Sequence, residues 1–347
     1  MRDSAHPLLT DKIIYANGYI WFVHYFANLL FRIDQKNNEQ KVYRIPYKEH
    51  VGEKYSDIIC MNGKIWLIPR MALHLVAFDL QTETFSSVEM ASNVGKFERR
   101  FGGAIIHNDY LYTIPDHEKG KRVSIVDMQV TDAEMFEGLV ACYTYSCIGK
   151  NMLVTVSREQ DGLITVNLDN EECEVIFEDV FKKNVEYVLA ECNGSLFVFG
   201  NDSLFRVSLT NKIIEYEKKT RPKSSAHLAT VANKYIIVDY PAHLDYEVYS
   251  DELELVGCYT KTDKTEEKCV GSYWGEWIDI DNDSFAMLNL CKSTVGIFNK
   301  ENFANPYNTI HVDIERNDIV NASLSNSIDN LSDEWYWNSL DELIHSI

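Results

Sequence analysis

Asn62-Gly63-Lys64-Ile65-Trp66-Leu67 is a tight turn followed at once by an apolar strand, and this combination decides the fold. Asn-Gly is the strongest short signal for a two-residue β-hairpin turn, because that turn needs positive φ at both central positions. Similar turns followed by similar strands begin at six other places: Asn17, Asn108, Lys150, Asn193, Asn233 and Asn282.

The spacing of these seven segments is nearly constant. The second turn residues lie at positions 18, 63, 109, 151, 194, 234 and 283, so the steps run from 40 to 49 residues. This period is typical of a propeller blade of four strands. A solenoid of helix pairs can have a similar period, but the segments are rich in β-branched and aromatic residues and show no helical period.

The second repeat divides into four predicted strands: Tyr55 to Met61, Lys64 to Pro69, Leu73 to Leu80 and Thr84 to Met90. The sequence therefore predicts an all-β chain, with a seven-bladed β-propeller of four-stranded antiparallel blades over residues 10–313.

The first repeat carries a family resemblance. Gly18-Tyr19-Ile20-Trp21-Phe22, followed by Ala27 to Asp34 and Tyr43 to Pro46, resembles the repeats of streptogramin-lyase-like propellers. The resemblance lies mainly in the first two repeats. The whole chain is more loosely similar to kelch-like propellers, although the strand-ending double glycine of that family is missing.

Streptogramin lyases use histidines near a carboxylate, with a divalent metal, to eliminate a lactone bond. The later repeats of this chain hold no matching motif, so no catalytic residue is transferred to a particular position. By location alone, the nearest candidates are His227, His243 and Glu276.

The C-terminal segment 314–347 differs from the repeats. It begins as a polar linker rich in Asn, Ser and Asp and ends in an acidic stretch from Ser332. Trp337, Leu340 and Leu343 follow at helical spacing, which predicts a short amphipathic helix. This helix either packs back on the propeller, the alternative we favour, or docks a partner.

The net charge of the chain limits the kinds of partner that it can bind. The chain has 33 Lys and Arg against 53 Asp and Glu, a formal net charge of −20. Such a surface repels phosphate backbones and anionic lipids, so we expect no nucleic-acid or membrane partner.

The eight cysteines form no C-x-x-C pair, and neither a secretory signal nor a membrane-spanning run is visible. We therefore expect a cytoplasmic protein.

Candidate ligand-binding residues lie in two sets of loops, the B–C loops within blades and the D–A connections between blades. These loops share one face of a propeller, where they surround the central channel. The candidates on this face are His24, Arg70, His74, Arg99, Arg100, Tyr240, His243 and Trp274. Asp116, His117 and Arg158 lie in the same loops.

Arg99-Arg100 is the one local basic spot in an acidic chain. It suits the carboxylate or phosphate group of a ligand, and the alternative is a solvated loop paired with Glu98.

The chain has no phosphate-binding glycine loop, no dinucleotide fingerprint after a strand, no G-x-S-x-G and no H-E-x-x-H. Asp279 to Asp283 only begins like a calcium loop, because position twelve is Leu290. We expect neither a cofactor nor a metal.

Two functions remain open. The first is a non-catalytic binding or scaffold propeller for a peptide, protein or glycan. The alternative is a lyase or hydrolase that uses His and Glu in the central pocket, with a metal if the family's chemistry applies.

Overall fold

The computed structural model describes residues 12–24, 27–49, 54–90, 98–200, 202–220, 226–240, 245–260, 274–289 and 294–312. Its strands form seven sheets, each made of four consecutive antiparallel strands. The prediction of a seven-bladed propeller with four-stranded blades is therefore confirmed.

Blade 1 contains β1 (Ile13–Ala16), β2 (Tyr19–Val23), β3 (Leu29–Asp34) and β4 (Gln40–Arg44). Blade 2 contains β5 (Tyr55–Met61), β6 (Lys64–Pro69), β7 (His74–Asp79) and β8 (Thr84–Glu89). Blade 3 contains β9 (Phe101–His107), β10 (Tyr110–Pro115), β11 (Lys121–Ser124) and β12 (Val130–Asp132), followed by a single 3₁₀ turn at Glu134–Phe136.

Blade 4 contains β13 (Cys142–Ile148), β14 (Met152–Ser157), β15 (Leu163–Asn167) and β16 (Cys173–Ile176). Blade 5 contains β17 (Val188–Cys192), β18 (Ser195–Gly200), β19 (Ser203–Ser208) and β20 (Ile213–Lys219). Blade 6 contains β21 (His227–Val231), β22 (Tyr235–Asp239), β23 (Asp245–Ser250) and β24 (Leu255–Thr260). Blade 7 contains β25 (Trp274–Asp279), β26 (Ser284–Asn289), β27 (Thr294–Asn299) and β28 (Asn308–His311).

The repeated turn has the predicted backbone conformation. Asn17 and Gly18 have φ of 52° and 85°, and Asn62 and Gly63 have φ of 51° and 71°. Positive φ at both central positions gives the turn the right-handed twist of its flanking strands.

The first strands of neighbouring blades contact one another in a closed ring, β1–β5–β9–β13–β17–β21–β25 and back to β1. These strands therefore surround the central channel. Each blade is an antiparallel meander, so the turn between its first and second strands and the turn between its third and fourth strands lie at one end, the hairpin face. The B–C loops and the D–A connections lie at the other end, the loop face.

Burial follows from this arrangement. The second strand of a blade is packed between two neighbouring blades, so β6 is almost wholly buried, whereas the outer strand β8 is half-exposed. The core is accordingly divided among the junctions between blades. Between blades 1 and 2, Trp21 stacks on Tyr43 with ring centroids 6.0 Å apart, and Phe78 lies 4.7 Å from Tyr43.

Blades 7 and 1 close the ring mainly through side-chain packing. Phe22 and Phe31 of blade 1 form one buried cluster with Leu288 and Ile297 of blade 7. At the edge of this junction, the Asn308 side-chain amide donates to the Gln35 carbonyl oxygen over 3.4 Å.

Some predictions fall outside the described residues. The linker and the C-terminal helix of segment 314–347 lie there, and so does residue 313 at the predicted end of the propeller. Within the described part of the chain, no helix has the length and apolar character that a membrane crossing requires.

Candidate functional site

A series of backbone hydrogen bonds connects the loops of the loop face from blade 2 to blade 5. The bonds run from the amide N–H to the carbonyl oxygen as follows: Arg70 to Lys54 (2.8 Å), Arg100 to Arg70 (2.6 Å), Asp116 to Arg100 (3.1 Å), Ala141 to Asp116 (2.7 Å), Arg158 to Ala141 (3.1 Å) and Asn184 to Arg158 (3.3 Å). Bonds within a blade alternate with bonds between blades. The loops are therefore held in fixed positions relative to one another, as a preorganised binding surface requires.

These bonds use equivalent positions in successive blades. One position directly precedes the first strand and holds Lys12, Lys54, Arg100 and Ala141 in blades 1 to 4. The other directly follows the second strand and holds His24, Arg70, Asp116 and Arg158. Basic residues thus recur beside the channel mouth of a chain whose net charge is −20.

Asp116 lies at the centre of the basic residues. Its side chain is buried, and burial raises the pKa of its carboxyl group. The positive charges of His117, Arg158, Arg99 and Arg70 act in the opposite direction. Its Oδ1 atom lies 3.9 Å from His117 Nε2 and has no hydrogen-bond partner among the described residues.

Arg100 is buried directly before β9, and its carbonyl oxygen accepts from the Asp116 amide over 3.1 Å. Burial lowers the pKa of its guanidinium group, against the influence of Glu118, Glu49 and Glu89. Within the described part of the chain, its Nε and Nη1 atoms have no hydrogen-bond acceptor. Buried polar atoms of this kind are rare, and each one calls for a water or ligand partner.

His74 is fixed by Glu49, a fully buried carboxylate in the connection between blades 1 and 2. The Nδ1 atom of His74 lies 2.7 Å from Glu49 Oε1, and the backbone amides of Leu73 and His74 also donate to this carboxylate. The hydrogen bond raises the pKa of His74. Tyr47 stacks on the imidazole, with ring centroids 5.5 Å apart.

His24 has a different environment. It is 3% exposed, and its Nδ1 atom accepts a hydrogen bond of 3.0 Å from the Ala27 amide. Burial and the nearby Lys54 charge lower the pKa of His24 to about 3. The imidazole is therefore neutral and serves to hold the B–C loop of blade 1.

Tyr240 and His227 lie on blade 6. The buried Tyr240 hydroxyl donates to Glu247 Oε2 over 2.9 Å, and Tyr249 donates to the same oxygen over 2.8 Å. His227 is exposed and lies opposite Asp239 in the β21–β22 register. Tyr240 thus contributes to the packing between blades, while His227 is accessible from the loop face.

The remaining candidates receive no side-chain description. His243 lies outside the described residues, and for Trp274 and Glu276 the structure describes only their place in β25. Of the ligand-binding candidates, Arg70 and Arg99 lie within electrostatic range of the Asp116 carboxylate, and Arg100 is joined to Asp116 by a backbone hydrogen bond. His24 and His74 lie on neighbouring blades, and Tyr240 lies on blade 6.

Two side chains meet in the channel. Tyr145 of β13 donates its hydroxyl hydrogen to the carboxylate of Asp57 in β5. Its ring lies against Gly103 of β9, where a Cβ atom would overlap it. Sequence reasoning did not single out Asp57 or Lys54. For Lys54 there was a signal, because Lys12, Lys54 and Arg100 occupy one repeat position.

Comparisons with known proteins show the fold. No family model matches the chain, and no curated protein sequence matches it. Among solved structures, a streptogramin B lyase is similar with a TM-score of 0.66 and 12% identity, covering 83% of this chain and 93% of that one. The Swd1 propeller domain of Myceliophteria thermophila has a TM-score of 0.62 and 11% identity, with 84% and 96% covered.

A third similar structure is the extracellular domain of a putative one-component system from B. thetaiotaomicron. Its TM-score is 0.62 at 12% identity, and the match covers 91% of this chain but 44% of that longer one. These likenesses place the chain in the class of seven-bladed β-propellers. Members of this class with widely different functions share the fold, so the fold alone does not assign an activity.

Proposed function

We propose that this propeller is a non-catalytic binding module that recognises a peptide or protein segment through the loop face of blades 2 to 4. The observation that carries the proposal is the hydrogen-bonded series from Lys54 to Asn184, which holds cationic loop residues in fixed positions. Fixed loops lose little conformational entropy on binding, and this favours recognition of an extended segment.

The distribution of histidines supports binding over catalysis. A lyase or hydrolase in the central pocket needs at least two of the four candidate histidines at one shared site. His24, His74 and His227 lie on blades 1, 2 and 6. His24 accepts from Ala27, whereas His74 pairs with Glu49.

The test is a selection of random peptides on the immobilised full-length protein, followed by affinity measurements on the selected peptides. His117 is exposed on the loop face, so His117→Trp places a bulky side chain there. The substitution leaves all the arginines of the loop face in place. Lys36→Trp places the same indole group on the hairpin face and serves as the control.

We expect His117→Trp to weaken binding at least about tenfold, the loss of one well-packed contact, and Lys36→Trp to leave it unchanged. Equal effects of the two variants would contradict recognition through the loop face. If the protein bound glycans in a parallel array and selected no peptide, the ligand would be a sugar and the proposal of a peptide ligand would be wrong.

A cytoplasmic location remains part of this proposal. Five cysteines in the described part of the chain (Cys60, Cys142, Cys147, Cys173 and Cys192) are free thiols, as expected in a reducing compartment. Fractionation of cells that express the tagged protein tests this location.

A further inference from the structure

We propose that the loop face of blades 2 to 4 binds a single carboxylate group, presented by a peptide whose flanking residues are neutral or basic. The carboxylate is an Asp or Glu side chain or the C-terminus of the peptide. Because it names the group that the loop face recognises, this assignment rests on the function proposed above.

The acidic and basic side chains of the site differ in their exposure to solvent. The carboxylates of Asp116, Glu118 and Glu49 are at most 6% exposed, whereas Arg70 and Arg99 are half-exposed and Arg158 is exposed. Glu89, at the end of β8, is the exposed carboxylate of the group. Around Asp116 itself, a ligand that approaches from solvent therefore meets guanidinium groups before it meets the carboxylate. Guanidinium groups bind carboxylates through two parallel hydrogen bonds, which gives geometric specificity as well as affinity.

The arginines come from three blades and are fixed by their own backbone. Arg70 follows β6, Arg99 precedes β9 and Arg158 follows β14. The Arg99 carbonyl accepts from the His117 amide over 3.2 Å, and Arg158 lies over the Tyr143 ring at 4.7 Å. All three lie within electrostatic range of the Asp116 carboxylate.

Unsatisfied hydrogen-bonding atoms lie beneath these arginines. Arg100 Nε and Nη1 and Asp116 Oδ1 are buried and have no hydrogen-bond partner in the described part of the chain. A water chain or a bound polar group that reaches this layer would satisfy them. A purely structural ion-pair network would be expected to pair these atoms internally.

The number of charges favours a monoanion. Asp116, Arg100 and the charged groups that act on them comprise five basic residues (Arg70, Arg99, Arg100, His117 and Arg158) and four carboxylates (Glu49, Glu89, Asp116 and Glu118). The surplus is at most one positive charge, which matches a carboxylate and leaves the second negative charge of a phosphate group without compensation. A carboxylate requires less compensation and uses the same bidentate geometry.

The charge of the remaining surface determines which residues can flank the carboxylate in the ligand. The net charge of −20 repels an extended polyanion and attracts a cationic chain. At physiological salt this effect decays over a Debye length of about 8 Å, so it acts on peptide residues close to the surface. A lone carboxylate can pair with the arginines of the loop face, and neutral or basic residues on either side of it avoid repulsion by the acidic surface.

The experiment uses the peptides selected on the full-length protein. Each peptide is resynthesised with every Asp or Glu changed singly to Gln or Asn, and with the C-terminus amidated. Affinities are measured for the wild type, for Arg99→Gln and Arg158→Gln, and for the control Lys36→Gln, which removes the same charge from the hairpin face.

We expect one carboxylate in each peptide to be essential, with a loss of at least about tenfold on neutralisation, as for a charge-assisted hydrogen bond. Arg99→Gln and Arg158→Gln should cause similar losses, and each loss should be smaller in the peptide that already lacks the carboxylate. Lys36→Gln should change the affinity less than twofold.

Three results would overturn the assignment. Selected peptides that bind the loop face without an essential carboxylate would refute it and leave the proposed function intact. Competition by inorganic phosphate well below the concentration at which acetate competes, at constant ionic strength, would replace the carboxylate by a phosphate group. Failure to select any peptide would count against the proposed function itself.

Discussion

The hydroxyl of Tyr145 in blade 4 donates to the carboxylate of Asp57 in blade 2, across β9, the innermost strand of blade 3. It can do so because Gly103 in the intervening strand β9 has no side chain. Asp57 is buried, and burial raises the pKa of its carboxyl group, while the Lys12 charge and the Tyr145 hydroxyl lower it. Three inner strands are thereby connected inside the channel just below the loop face.

Removal of this hydroxyl should destabilise the propeller. Tyr145→Phe leaves the Asp57 carboxylate with fewer donors, so the free energy of unfolding should fall by about 1–3 kcal/mol at neutral pH. Urea unfolding followed by tryptophan fluorescence measures the change. Tyr307→Phe is the matched control, because Tyr307 is 65% exposed. Equal stability of Tyr145→Phe and the wild type would show that the cross-channel bond contributes nothing.

Gly103 should not tolerate a methyl group. Gly103→Ala places a Cβ atom inside the Tyr145 ring, which must then move away from Asp57. We expect a loss of about 1–3 kcal/mol of stability, as for an overpacked core. In a Tyr145→Ser background the same substitution should cost much less, because the ring is gone. An unchanged cost in that background would exclude the ring as the cause.

The sequence was sufficient to predict the repeat because turn chemistry and strand patterning are local. The second repeat shows this, since β5 and β6 begin and end at the predicted residues. Arg99 and Arg100 were also recognised as a basic spot from their local sequence. The bond between Tyr145 and Asp57 could not be predicted, because it joins residues 88 positions apart through the geometry of the closed ring.

His24 should stay neutral throughout the physiological pH range. Its pKa is lowered to about 3, against about 6.5 in the unfolded chain. Its signal in a histidine NMR titration should therefore not shift between pH 8 and pH 5, and the spectrum of His24→Gln identifies it. Because the folded pKa is depressed, His24 should favour folding above pH 6.5, and this contribution should be lost as the pH falls toward 3. Titration of His24 near pH 6 would contradict its burial.

His74 should titrate in the opposite direction. The hydrogen bond to Glu49 raises the pKa of His74 above 6.5, so its contribution to stability is complete below the unfolded pKa. The contribution should be lost as the pH rises through the folded pKa. The free energy of unfolding, measured from pH 6 upward, should therefore fall more steeply for the wild type than for His74→Gln. Parallel curves for the two proteins would show that the pair adds no pH-dependent stability.

The junction between blades 7 and 1, which closes the ring, should depend on side-chain packing as much as the other junctions between blades do. Leu288 in β26 and Leu67 in β6 are both fully buried in second strands, at the two junctions that blade 1 makes. Leu288→Ala and Leu67→Ala should each lower the free energy of unfolding by about 2–5 kcal/mol, through lost burial and the cavity left behind. Urea unfolding of both variants under identical conditions measures the two costs.

The comparison between the two variants decides how the ring is closed. If packing closes it, the two costs should agree within about 1 kcal/mol, since both residues are leucines, both lie in the second strand of a blade and both are fully buried. A much smaller cost for Leu288→Ala would mean that the junction of blades 7 and 1 yields before the rest of the ring. Limited proteolysis of that variant would then cut first at the ends of β1 or β28, whereas a closed ring would protect both strands equally well.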